Sequence, residues 1–305
     1  YGDHRDLHLS LRRQRQMCIR DRIYSSWCRS MKEIRWVKPL FRWLFLLFGA
    51  LLMLALFQHK LIYHPRSYPT GYQPWKTSSL ELLRYQTTEG SQTAYYLPPG
   101  NDSVQRVWVL FGGNAGLALD WLGLLTQVNS TGVGFLLIDY PGYGACEGTA
   151  SPETIRSSTR EAFQAWQREF GVESQPNWAT LGHSLGAAAA MQFAEDHPVD
   201  RIVLLSPFTS LADMVRHLFG GWLVPLLRHP FENRKPLQLV LERNPVPAIL
   251  IAHGTRDEVV PVQMGRELAS LNQEKIEYLE IPDTGHNDIL SKLWPRLQQE
   301  FSTAL

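Results

Sequence analysis

Short runs of continuously apolar residues recur along the chain at 107–111, 133–138, 178–181, 202–205, 248–252 and 276–281. Stretches of helical periodicity separate them at 152–170, 185–197 and 262–271. Runs of this length without polar alternation predict strands buried on both faces, as in a parallel sheet flanked by helices. Upstream, residues 80–97 alternate apolar and polar positions around "TTEGSQ", which predicts an antiparallel hairpin. Between 205 and 248 lie about forty residues rich in aromatic and aliphatic side chains, too long for a routine connection. They predict a small cap over the strand ends, covering about 207–247. The strand-helix alternation predicts one α/β domain that binds ligands at the carboxyl ends of its strands.

The most apolar stretch stands apart from this rhythm. Residues 43–57, "WLFLLFGALLMLALF", carry no polar side chain and follow Lys32, Arg35, Lys38 and Arg42. At 1.5 Å rise per residue such a core spans about 22 Å, and the apolar residues beside it extend it toward a bilayer's thickness. The alternatives are a secretory segment and a buried core helix, but no small-residue cleavage pattern follows. Residues 31–63 are therefore read as a membrane anchor of one transmembrane helix. The excess of basic residues before the span predicts a cytoplasmic N-terminus and a body on the opposite side. The Pro/Gly/Tyr stretch at 64–75 reads as a short linker into the body at 64–305.

Composition and charge narrow the function. The 305 residues are 44% hydrophobic, enough for one large core. Nine Lys/Arg and four Asp/Glu fall in residues 1–35, which leaves 21 basic against 25 acidic side chains in the remainder. That body carries no basic footprint for nucleic acid. Residues 11–22, "LRRQRQMCIRDR", resemble a translated sequencing adapter, so residues 1–30 are read as a non-native or disordered tail; the competing reading is a basic arm for a membrane or an acidic partner. Of Cys18, Cys28 and Cys146 only the last lies in the body, so no internal disulfide is expected there. No cluster has metal-ligand spacing, and "FGGNAG" lacks the spacing of a dinucleotide loop. Neither metal, cofactor nor obligate protein partner is expected.

The candidate chemistry centres on "GHSLG", with a strand before it and a helix after it. In that setting Gly182 and Gly186 permit a sharp turn and Ser184 stands at a helix N-terminus, where partial positive charge favours a developing anion. Small residues here also serve helix-sheet packing, and the two readings are compatible. A serine needs a base oriented by a carboxylate before it attacks. "HGTRDEVVP" puts Asp257 after one apolar run, and "TGHND" puts His286 after the last. Asp139, Glu258, Asp283 and Asp288 are other acid candidates, with Asp288 second; His183 and His253 read as structural.

With "LIYHPR", "FGGNAG", "DYPGYGACEG", "GHSLG", "HGTRDEVVP" and "TGHND" in this order, the chain from about residue 61 resembles the α/β-hydrolase superfamily, within it the small membrane-anchored serine hydrolases grouped with serine aminopeptidase-like proteins. The resemblance implies the α/β-hydrolase fold: a mostly parallel central sheet with helices on both faces and a small cap, here preceded by one transmembrane helix. It implies Ser184 as nucleophile, Asp257 as orienting acid and His286 as base. It also implies an oxyanion hole made by the backbone N–H groups of Asn114 and Leu185. Two positions depart from the pattern. Gly112 stands where a histidine usually steadies the oxyanion loop, so a looser loop is expected, and Cys146 replaces a serine as a structural substitution.

The function expected is a membrane-anchored serine hydrolase that cleaves acyl esters or thioesters, with a lipid-like substrate. Phe219, Trp222, Leu223, Leu226 and Leu227 of the cap offer an apolar wall, with Trp222 and Leu226 as substrate-binding candidates; packing against the sheet is the other reading of these side chains. A serine peptidase using the same triad and a catalytically silent scaffold remain the alternatives.

Overall fold

The computed structural model describes residues 17, 20, 39, 41–73, 79–100, 103–128, 131–171 and 175–302. The expectation for the tail at 1–30 lies outside these residues, Met17 and Arg20 excepted. The chain divides into two compact units, Tyr1–Phe57 and Gln58–Leu305. In the first, helix α1 begins; it runs over Phe41–Ile62 and is long and apolar enough to cross a membrane. Its side chains Phe41, Trp43, Phe45 and Phe48 are exposed.

The second unit is built on one eight-stranded sheet. Its strands are β1 (Glu81–Thr87), β2 (Gly90–Leu97), β3 (Arg106–Phe111), β4 (Val133–Ile138), β5 (Asn177–His183), β6 (Arg201–Leu205), β7 (Ala248–Gly254) and β8 (Ile276–Ile281). They lie in the order β1-β2-β4-β3-β5-β6-β7-β8, with β1–β2 and β2–β4 antiparallel and every other pair parallel. The chain is thus an α/β-hydrolase fold with a mostly parallel sheet.

All six residues of β3 and all six of β4 are buried, as continuous apolar runs require. β2 departs from the expected alternation, because Gln92, Thr93, Ala94, Tyr95 and Tyr96 are buried in succession. The strand lies between β1 and β4 with protein on both faces, so its polar residues are covered too.

Helices α2 (Leu122–Leu125), α3 (Pro152–Phe170), α4 (Leu185–Asp196), α5 (Leu211–Phe219), α6 (Arg234–Leu241), α7 (Val262–Ala269) and α8 (Ile289–Ser302) complete the unit. On one face Ala187, Ala188, Ala189 and Ala190 of α4 join Trp166 and Phe163 of α3 in a core with Val107, Val109 and Phe111. On the other, Phe301 of α8 meets Trp108 and Phe135 edge-on at 5.0 and 5.2 Å. α8 stands out weakly in the sequence because Pro295 interrupts its pattern.

Ser151 begins α3 by accepting from Thr154 N–H at 3.1 Å while Thr154 Oγ1 accepts from Ser151 N–H at 2.8 Å. This reciprocal pair, with Pro152 at the first helical position, satisfies the opening turn. The cap consists of α5, a 3-10 turn at Gly221–Leu226 and α6. Leu218, Phe219 and Trp222 are exposed, while Leu223, Leu226 and Leu227 are half-buried.

Residues 64–73 do not behave as a free linker. Arg66 O accepts from Gly144 N–H at 2.8 Å, and Tyr68 Oη donates to Asp139 Oδ2 at 2.7 Å.

Candidate active site

Ser184 joins β5 to α4 with φ 56° and ψ −115°, a conformation an L-residue adopts only when its surroundings impose it. The imposition comes from the glycines. A Cβ on Gly182 would sit 2.0 Å from Gly186 O, and one on Gly186 would sit 2.4 Å from Phe111 O. Ser184 N–H donates to Leu205 O at the end of β6 at 2.9 Å, and its half-buried side chain stands at the start of α4.

Asp257 follows β7 and His286 follows β8, and their side chains meet: His286 Nδ1 lies 2.7 Å from Asp257 Oδ2. The carboxylate accepts, so Nδ1 carries the hydrogen and Nε2 keeps its lone pair. Among the described residues no hydrogen bond joins that ring to Ser184 Oγ. Of the other acid candidates, Glu258 reaches only the His286 backbone N–H, at 3.3 Å, and none of them bonds the His286 ring. Asp283 pairs with Arg256 at 2.7 Å, Asp288 is exposed at the start of α8, and Asp139 is buried under Tyr68.

The Asp257 carboxylate accepts three hydrogen bonds and has a second histidine close by. Oδ1 accepts from the N–H groups of Val259 (2.9 Å) and Val260 (2.7 Å), and Oδ2 has His253 Nε2 at 3.3 Å besides His286. Burial alone would raise this carboxyl, but the hydrogen bonds from His253, His286 and Val260 outweigh it and hold it far below the usual carboxylate range.

His253 is completely buried, and its Nε2 also lies 2.9 Å from Val260 O. The structural reading of this residue thus includes a 3.3 Å approach to Asp257 Oδ2 that the sequence reading missed. The pattern that would have signalled it is the i, i+4 interval from His253 to Asp257 across a tight turn.

His286 is also fixed through its backbone. His183 Nε2 donates to His286 O at 3.1 Å, and Glu258 Oε2 accepts from His286 N–H at 3.3 Å. Burial, and after it the nearby His286 ring, pushes His183 down to about 4, so it is neutral at pH 7. Gly113 makes room for it, since a Cβ there would meet His183 Nδ1 at 2.9 Å.

The loop after β3 carries Asn114. Among the described residues neither the Asn114 N–H nor the Leu185 N–H, at the first position of α4, donates to a protein acceptor. The looser loop expected from Gly112 is not what the structure contains. Gly112 O accepts from Tyr140 Oη at 2.6 Å, and Asn114 Oδ1 accepts from Tyr143 Oη at 3.0 Å. Cys146 is buried with Sγ 3.3 Å from Thr93 N, and burial pushes its thiol up to about 12. A thiol held protonated is structural, not nucleophilic. Among the described residues no group of His, Cys, Asp and Glu is arranged to hold a metal ion.

The comparisons with known proteins agree with the fold. The model of the alpha/beta hydrolase family matches residues 97–244, a span that includes Asn114, Ser184 and Leu185 and ends before Asp257. An uncharacterized protein of Mycobacterium tuberculosis is 30% identical over 244 residues, 79% of this chain and 84% of that protein. The human alpha/beta hydrolase domain-containing protein 17B is 23% identical over 222 residues, 72% of this chain and 73% of its own length. A Pyrococcus furiosus esterase superposes with a TM-score of 0.57 at 14% identity, covering 79% of this chain and 99% of the esterase; at that identity the likeness concerns the fold.

Proposed function

Because the chain belongs to the alpha/beta hydrolase family, we propose that it is a serine hydrolase cleaving acyl esters or thioesters through an acyl-enzyme. The observation that carries the reading is the 2.7 Å bond from His286 Nδ1 to a buried carboxylate fixed by two backbone N–H groups, on the same rim as a serine held at φ 56°. In the reaction His286 Nε2 takes the Ser184 hydroxyl proton as Oγ bonds to the carbonyl carbon. The Asn114 and Leu185 N–H groups receive the oxyanion. Collapse breaks the bond to the alcohol or thiol, which leaves with the proton from His286. Water, deprotonated by the same nitrogen, then releases the acid and regenerates Ser184.

Helix α1 is taken as a single membrane anchor, with the N-terminus cytoplasmic and the catalytic unit on the opposite side. The support is its length, its apolar exposed surface and the four basic residues that precede its apolar run at 43–57. A membrane-anchored hydrolase meets lipid-like acyl substrates, and Trp222 and Leu226 of the cap are the side chains proposed to bind the acyl chain.

The test is to replace Ser184 and His286 by alanine, singly and together. Each single variant is expected to lose at least about a thousandfold in kcat on p-nitrophenyl butyrate, and the double variant little more, because members of one catalytic unit are non-additive. Ordinary turnover by Ser184→Ala would overturn the mechanism.

A further inference from the structure

The "LIYHPR" stretch emerges from α1 and crosses the loop that carries Asn114. Every hydrogen-bonding position of the Asn114 side chain is taken, three of the four by this stretch. Nδ2 donates to Ile62 O and lies 2.8 Å from His64 Nδ1, while Oδ1 accepts from His64 N–H at 3.1 Å and from Tyr143 Oη at 3.0 Å. An amide has two hydrogens and two lone pairs, so nothing is left over for a substrate. The next residue is held the same way, with Arg66 Nη1 donating to Ala115 O at 3.0 Å and reaching Asp120 Oδ2 at 3.3 Å. Farther along, Leu119 N–H donates to Tyr68 Oη at 3.1 Å.

The loop needs this support because, apart from Asn114, its sequence supplies little to anchor it. Gly112, Gly113 and Gly116 have no side chains to anchor it, and a glycine-rich backbone has the most conformational freedom to lose. An N–H that stabilises an oxyanion must already lie where the charge develops, since reorganisation during the reaction adds to the barrier.

We propose that residues 62–68 form a strap that positions the oxyanion loop, with His64 and the Asn114 side chain as its fastening and hence as positioning residues for the reaction. The proposal rests on the hydrolase reading above. His64 fills the steadying role that Gly112 cannot, from a segment about fifty residues earlier in the chain.

Full-length protein in detergent, with active sites counted by a fluorophosphonate probe, tests this. His64→Ala and Asn114→Ala are expected to lower kcat per labelled serine about tenfold to a hundredfold while KM stays within about threefold, because only the transition state carries the oxyanion. His64→Asn, whose Oδ1 stands near the position of the imidazole Nδ1 and accepts as it does, is expected to keep kcat within about threefold of wild type. A purely structural role would reduce the number of labelled sites and leave kcat per site alone. That result, or unchanged kcat in both alanine variants, would overturn the proposal while leaving the hydrolase reading intact. If Asn114→Ala does not fold, the His64 pair decides. A wild type that takes up no probe would overturn the hydrolase reading, and the strap's catalytic role with it.

Discussion

Three donors converge on the Asp257 carboxylate, and His183, which bonds the His286 backbone, is kept neutral by burial. These two groups respond differently to acid. Asp257 is held low, so its stabilisation persists until the pH falls below its unfolded value near 4. His183 acts earlier. Its folded value of about 4 lies below the ordinary 6.5 of a histidine, so the unfolded chain binds the extra proton between these limits and stability falls as pH drops from 6.5 toward 4. The full shift corresponds to about 3 kcal/mol. Asp139 opposes it: burial raises that carboxyl to about 6, so the folded state binds more protons there and gains relative stability in the same direction of acidification. His183→Asn is therefore expected to leave Asp139 unopposed, with urea midpoints that fall less, or rise, between pH 6.5 and 4.5 where the wild type's fall more. Parallel pH profiles for the two proteins would refute the assignment. Little of this is legible in the sequence. "GHSLG" puts a histidine beside the serine, but only the fold brings it under His286, more than a hundred residues on.

At the scale of elements the turn between β5 and α4 is a joint with no room for a side chain at either glycine. Alanine ordinarily stabilises a helix relative to glycine by about 1 kcal/mol. At Gly186 the sign reverses, because the added Cβ would sit 2.4 Å from Phe111 O and 2.5 Å from Gly112 O, backbone atoms of the sheet and the oxyanion loop. Gly186→Ala is expected to cost about 3 kcal/mol or more and to lower Tm by roughly 6–12 °C. A thermal melt matching wild type would show that the helix can back away. The strands and this turn are readable in sequence because one-dimensional signals, a continuous apolar run and a glycine pair around a serine, coincide with the three-dimensional requirement. β2 and residues 64–73 are not. The buried Gln92 and Thr93 look like surface residues, and Pro65 and Gly71 look like punctuation, until the partners that cover or bind them are in place. The pairing of Asp257 with His286 is legible from chain order, and the approach of His253 to Asp257 is local, four residues away; the fastening of Asn114 depends on contacts between segments about fifty residues apart.

For the whole molecule the cap poses the question of substrate. Trp222 is 64% exposed and Leu226 half-buried, so neither side chain is wholly taken up by packing, as their proposed role in binding an acyl chain requires. Each methylene withdrawn from water contributes about 0.8 kcal/mol, so two more carbons on the acyl group are expected to raise kcat/KM about tenfold until the wall ends. Trp222→Ala and Leu226→Ala should then shift the preferred length across an acetate-to-decanoate series. Values that are flat with length, beside brisk cleavage of aminoacyl-naphthylamides, would favour a peptidase instead. The parts of the proposed site come from widely separated stretches: the strap near Ile62, the loop at Asn114, the serine at 184, the acid at 257 and the base at 286. Contacts between stretches so far apart form late in folding. During synthesis the strap, loop and serine leave the ribosome before His286, the base of the proposed mechanism. Under that mechanism the nascent chain is inert, and reactivity at Ser184 is acquired only when the final strand has joined the sheet.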